Sequence, residues 1–270
     1  MTETARPSAV TITGVSFSYG QRRVLEELDL DVLQGSYCGI VGSNGSGKTT
    51  LAYLIAGIFS PCSGTIDTHE LRTGLVLSNP ANQVVSLVVG EDIAFGPENM
   101  GLSIPEITSR IEYALDVIHC SHLRDALISS LSGGQLAKIA FAGQLALDVD
   151  VLVLDEGTVM LDPLSRRTVL ETIRELNASL GKTIIHISHR IDDLETADRV
   201  VVLEEGRISR SSGGVFELAR QMGADGIAGI ELGSRLLYRT FLFNAGIDEE
   251  DLSTATQLLS RTMQGAVLSH

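Results

Sequence analysis

The run Gly42-Ser43-Asn44-Gly45-Ser46-Gly47-Lys48-Thr49, continued by Thr50, has the G-x-x-x-x-G-K-[ST] spacing of a phosphate cradle. Its glycines let the backbone curl so that successive N–H groups face a β-phosphate. The helix that must follow adds the positive end of its dipole. Lys48 supplies a point charge for the β- and γ-phosphates, and the Thr49 hydroxyl is a Mg²⁺ ligand. A second chemistry closes the run Val151-Leu152-Val153-Leu154-Asp155-Glu156. Asp155 suits Mg²⁺ held through water, and Glu156 suits polarising an attacking water. An apolar run ending in two acids is also what any strand entering a turn looks like; the cradle upstream makes it chemistry. The third element is Leu131-Ser132-Gly133-Gly134-Gln135. A Ser cap followed by glycines exposes a second set of amide donors to an anion. An ordinary capped helix has no need of two bare glycines.

Positioning these groups requires particular elements. Cys38 to Val41 reads as a short buried strand running into the cradle, and Thr49 to Phe59 as the helix behind it. Alternation at Val10, Ile12, Val15, Phe17 and Tyr19, and again at Leu28, Leu30 and Val32, predicts two half-buried strands around a turn near Gly20 to Arg23. Further strands are expected at Thr73–Leu77, Val151–Leu154, Thr183–Ile187 and in a hairpin about Glu205-Gly206. Helices are expected over Pro105–His119, Ser132–Leu147 and Pro163–Leu180. Gly90 to Gly101, punctuated by glycine and proline, reads as irregular. Composition shifts at Ser211 to Gly214; the remainder to His270 is helical in pattern, with a last helix opening at Asp248 to Asp251.

The bulk properties narrow the function. A net charge of −14 repels phosphate backbones and argues against nucleic acid as a partner. With 44% hydrophobic but 4% aromatic residues, the core must be aliphatic, as in parallel α/β sheets. Cys38, Cys62 and Cys120 fit no metal-ligand spacing. Met1 to Ser8 is no signal peptide, and no apolar stretch is long enough to span a bilayer. Any membrane must be supplied by other chains.

The cradle, the Ser-Gly-Gly helix tip and the acidic strand end, in this spacing, resemble the ABC ATPase family, over about Val10 to Arg210. The resemblance implies a P-loop NTPase fold of the α/β class: a RecA-like parallel core, an antiparallel β subdomain and a helical signature subdomain over about 79–148. It divides the chain into an ATPase domain, 1–210, and a small C-terminal helical domain, 211–270, for dimerisation. It implies Mg-ATP as ligand, with Ser132, Gly133, Gly134 and Gln135 of one subunit closing on ATP held at Lys48 of a second ABC ATPase. Tyr19 resembles the aromatic that stacks on adenine, Asp162 the acid that crosses the dimer interface, and His189 the switch histidine that orients Glu156. His186, mid-strand, is expected to pack.

The pattern breaks at Ser78, where the family carries a Gln that reaches Mg²⁺; the shorter Ser78 is expected at the metal only indirectly, and Asn79, Asn82 or Gln83 are left to compensate. Lys138 and Gly157 also depart from the usual residues. Together these point to weakened or asymmetric hydrolysis rather than a dead site. Asn79 to Gln83 and Gly90 to Asn99 resemble the ATPases of energy-coupling-factor importers, which take up vitamins or metal ions such as cobalt and nickel. This implies a transmembrane coupling protein, docking near Glu91 and Asp92, a substrate-capturing membrane protein, and a place on the cytoplasmic face of the membrane. Two alternatives stay open: an ATPase of another ABC transporter class, and a degenerate ATP-binding partner of a sister ATPase.

Overall fold

The computed structural model describes residues 6–158 and 161–222. The helical segment expected beyond Met222, including the helix opening at Asp248, lies outside the described residues. In β1 (Ser8–Tyr19) and β2 (Arg22–Leu33), the alternating apolar residues are buried, as a one-sided sheet requires. β3 (Tyr37–Val41) is buried at every residue and leads through the cradle into α1 (Lys48–Ile55). That helix stops short of the expected Phe59. Gly57 takes φ +71°, a left-handed position that ends helices. The chain then turns so that Phe59 stacks on Phe17, 5.5 Å between ring centroids, and meets Tyr19 edge-on at 5.9 Å. β4 (Ser63–Asp67) completes a three-stranded antiparallel sheet, β2-β1-β4.

β5 (Thr73–Val76) is followed by a helical layer. Here the expectation of irregular structure at Gly90 to Gly101 is corrected: α2 runs Val89–Asn99. Val89, Ile93, Ala94 and Pro97 are buried at helical spacing. Gly90 and Gly96 are places of close approach, and only Gly101, at φ +73°, is a break. A Cβ on Gly96 would lie 2.7 Å from the Leu147 side chain, and one on Gly90 3.1 Å from the Arg124 carbonyl. α3 (Ile104–Val117) opens with a Ser103–Glu106 capping box, and α4 (Gly133–Ala146) with a Ser132–Gln135 one.

β6 (Val151–Asp155), α5 (Pro163–Ala178), β7 (Thr183–Ile187), β8 (Arg199–Glu204) and β9 (Arg207–Ser212) complete a six-stranded sheet, β5-β6-β7-β3-β8-β9, parallel except for β9. Its centre is mainly aliphatic, with Tyr37 and His186 as buried exceptions on β3 and β7. β3 lies between β7 and β8, and β7 pairs with β6, so the loops after β3, β6 and β7 leave the same sheet edge side by side. That edge is where open α/β sheets bind ligands. β9 continues to Ser212, past the expected boundary at 210. α6 (Val215–Met222) buries Val215, Leu218 and Ala219 in the same core as α5.

Candidate functional site

The cradle's shape is enforced from outside. A Cβ on Gly42 would fall 2.2 Å from the Leu203 carbonyl, and one on Gly47, at φ +105°, 2.6 Å from the Leu25 side chain. The hairpin turn at Gly206 wedges against the loop from the other side. Its N–H donates to Ser46 O at 3.1 Å, its carbonyl accepts from Glu26 N at 3.0 Å, and a Cβ there would lie 2.3 Å from Val24 O. Only a glycine at φ +79° fits. Lys48, 5% exposed, donates to the carbonyls of Gly42 and Ser43, both at 2.9 Å. Burial pushes its pKa below the ordinary lysine value, opposed by Glu156 and Asp155. Ser46 Oγ is buried with no hydrogen-bond partner.

The acids and the histidine arrive from β6 and β7. Thr49 Oγ1 donates to Asp155 Oδ1 at 3.1 Å. Burial raises the pKa of Asp155, against that hydrogen bond. Two hard oxygens at the cradle's mouth, one on a carboxylate whose charge is costly to bury, suit a hydrated Mg²⁺ shared with phosphate. Among the described residues no larger cluster could hold a metal alone. Glu156 stands between Lys48 and His189, with Lys48 Nζ at 3.7 Å and His189 Nδ1 at 4.0 Å. Its φ is +52°, a left-handed conformation that side-chain-bearing residues rarely adopt.

Lys48, Thr49 and Glu156 line a cleft of about 510 Å³ together with Tyr19, Arg22, Val24 and Asn44. Tyr19 is 48% exposed, and its hydroxyl lies 3.4 Å from Thr50 Oγ1. Arg22 and Val24 were not anticipated from the sequence; their signal was their place just after the β1–β2 turn, facing the cradle. His186 does more than pack. It is fully buried, and its Nδ1 is 2.7 Å from Tyr37 Oη.

Ser132, Gly134 and Gln135 line a different cavity, of about 450 Å³, that shares no residue with the first. Ser132 Oγ accepts from Gln135 N at 3.2 Å, and Gln135 Oε1 accepts from Ser132 N at 2.9 Å. Gly134 is buried, and a Cβ there would lie 2.6 Å from Ser165 Cβ, so close packing of α4 on α5 requires this glycine. Gly133 is exposed and meets only the Leu161 side chain, at 3.3 Å. Asp162 caps α5, accepting from Leu164 N and Ser165 N at 3.1 Å.

Ser78 is exposed beyond β5 and lines neither cavity. The Gln83 amide is engaged with β5 and its continuation, accepting from Leu77 N at 2.8 Å and donating to Leu75 O at 2.9 Å. Asn79 caps the turn that follows, accepting from Ala81 N at 3.2 Å. Glu91 and Asp92 differ in their roles. Asp92 accepts from Val85 N at 2.7 Å and Ser86 N at 3.0 Å, fixing the loop over 84–88. Glu91 lines a groove of about 600 Å³ whose rim includes the exposed Val85 and Phe95. No helix among the described residues is long and apolar enough to cross a membrane.

Comparison with known proteins identifies the family. The ABC transporter family profile matches residues 25–159. An energy-coupling factor transporter ATP-binding protein of Symbiobacterium thermophilum is 43% identical over 221 residues, covering 74% of this chain and 77% of its own length. Another, from Caldanaerobacter subterraneus, is 40% identical, covering 72% and 76%. Among solved structures, cbiO1 of Clostridium perfringens, part of the ABC transporter complex cbiONQ, superposes with a TM-score of 0.72 at 31% identity, over 79% of this chain and 91% of that one.

Proposed function

Because this chain belongs to the ABC transporter family, as one of its ATP-binding and ATP-hydrolysing subunits, we propose that it energises an energy-coupling-factor importer for vitamins or transition-metal ions. The observation that carries the catalytic reading is Glu156, held in a left-handed backbone between Lys48 and His189 at the mouth of the cradle. ATP binds with adenine against Tyr19 and its phosphates on the amides of 42–47, where Lys48 exchanges two backbone carbonyls for phosphate oxygens. Glu156 orients the attacking water, and His189 holds Glu156 and meets the γ-phosphate. Thr49 and Asp155 hold Mg²⁺, which supplies charge neutralisation on the phosphates; Ser78 serves it at most through water.

The Ser132–Gln135 tip belongs to a cavity separate from the cradle, and a second ATPase subunit completes each site, with Asp162 reaching across. Residues 211–270 serve that pairing. The groove beside Glu91 takes a basic, apolar-flanked segment of the transmembrane coupling protein, with Asp92 bracing the groove wall; a separate membrane protein captures the substrate. The chain then sits peripherally on the cytoplasmic face. The Ser78 side chain favours a sister ATPase carrying the fuller set of ligands. The test is phosphate release by the complex purified from native membranes. Glu156→Gln should keep ATP binding and lose turnover at least about 100-fold, the contribution of a general base. Unimpaired turnover would exclude this site as the centre of hydrolysis.

A further inference from the structure

Asp193 is an acid at 2% exposure whose partners lie on three segments of the site. Its Oδ2 accepts from Thr158 Oγ1 at 2.8 Å and from Ser188 Oγ at 3.2 Å. Its Oδ1 accepts from Arg166, through Nε at 2.8 Å and also through Nη2. Thr158 follows Glu156-Gly157, Ser188 immediately precedes His189, and Arg166 stands in the first turn of the helix that Asp162 caps. The backbone of Asp193 is pinned as well. Its carbonyl accepts from Tyr37 Oη at 3.3 Å, the hydroxyl that also meets His186.

A buried carboxylate is expensive to desolvate, and apolar side chains of similar volume commonly hold a core as well. Cohesion alone therefore gives no reason for Asp193. The neighbouring backbone does. Glu156 sits in a region of φ that persists only where the surroundings over-determine it. One restraint is its own N–H, which donates to Ile187 O at 3.0 Å. The other is the Thr158–Asp193 bond just downstream.

We propose that Asp193 is a positioning residue for hydrolysis. By holding Thr158 and Ser188 on a single carboxylate oxygen it sets Glu156 and His189 against one another, and through Arg166 it ties that pair to the helix start bearing Asp162. The inference rests on the hydrolytic reading above, and goes beyond it by naming what keeps the water-orienting pair in register.

The experiment is a mutant cycle in the assembled transporter complex, read by single-turnover phosphate release and by ATP affinity. Asp193→Asn should lower the hydrolysis rate ~100-fold, the penalty for displacing a reacting group by about 1 Å. ATP affinity should stay within about twofold, because ground-state binding is untouched. Thr158→Val removes one hydroxyl from the hub and should cost ~10-fold, with Thr158→Ser restoring the rate. In the Glu156→Gln background neither Asp193→Asn nor Thr158→Val should reduce the residual rate further, since groups acting as one unit are not additive. A merely structural role would lower the rate equally in both backgrounds and overturn the proposal. So would a wild-type rate in Asp193→Asn or, should that variant not fold, in Thr158→Val. A parent complex with no hydrolysis at all would instead remove the hydrolytic reading and this inference together.

Discussion

The cleft at Lys48 and the helix tip at Ser132 both offer backbone amides to an anion, yet they are finished to different degrees. Around Lys48 the chain supplies the complementary parts: an acid with a hydroxyl beside it, a second acid between Lys48 and His189, and glycines pressed by Leu203, Leu25 and Val24. At Ser132 it supplies a capped helix end with an exposed glycine, beside a cavity lined by His119, His122 and Lys138 but by no carboxylate. Chemistry is concentrated in one region, and in the proposed function the other acts against a second molecule. On that proposal a single polypeptide binds nucleotide and leaves the catalytic enclosure to assembly.

The sharpest way to break this contrast is a charge placed at the tip. Gly133→Asp puts an acid in the first turn of α4, where the helix dipole welcomes it, so the fold should be retained. The same charge repels a γ-phosphate, and turnover by the complex should fall ~100-fold, as on loss of a preorganised anion-stabilising contact. Nucleotide affinity of the isolated chain, measured by calorimetry, should not change. A parallel fall in that affinity would merge the two regions into one. A smaller effect is expected from Gly206→Ala on the cleft side. The new methyl must displace the Val24 carbonyl, costing roughly 1–3 kcal/mol in denaturant melts and weakening ATP binding by the isolated chain. Unchanged affinity would remove the Gly206 wedge from the account of the cradle.

A third prediction concerns the support beneath the site. Burial drives the His186 imidazole from its ordinary 6.5 down to about 4. Below pH 6.5 the unfolded chain takes up a proton that the folded chain refuses until about pH 4. Stability is therefore fully present above that window and falls as pH drops through it, by about 1.4 kcal/mol per pH unit. His186→Gln should flatten that slope in melts taken between pH 6.5 and 4.5, and an unaltered slope would show that other groups set it. The smallest effect is reserved for Gly157→Ala. A Cβ there has nothing nearer than 3.9 Å and no positive φ to resist it. The substitution should stabilise by about 0.4–1 kcal/mol through the unfolded state and leave turnover unchanged. Lost activity would mean that the loop after Glu156 must flex.

The same division governs what could be read from the residues alone. The cradle, the acidic strand end and the Ser132 cap are local patterns, and each lies on the element its spacing demanded. The region over 90–101 was misread because Gly90 and Gly96 carry no local mark that separates a turn from a helix-packing contact; Arg124 and Leu147, far along the chain, decide it. Asp193 stayed invisible for a related reason. It lies in a charged run, Arg190 to Glu195, that reads as a solvated turn, and its partners Thr158 and Arg166 are distant in sequence. Nor could Ser78 reveal that Gln83, the nearest amide of the right kind, is committed to the backbone of Leu75 and Leu77.

Lys48 carries a thermodynamic consequence. Its ammonium is stripped of most of its water when the chain folds, and two carbonyls are its recompense. Nucleotide therefore meets a cation already dehydrated, and part of its affinity is drawn from the folding free energy. By linkage, a ligand that binds only the folded chain stabilises it by an amount set by its concentration and affinity, so the rise in melting temperature on adding ATP gauges how strongly the folded cradle holds it.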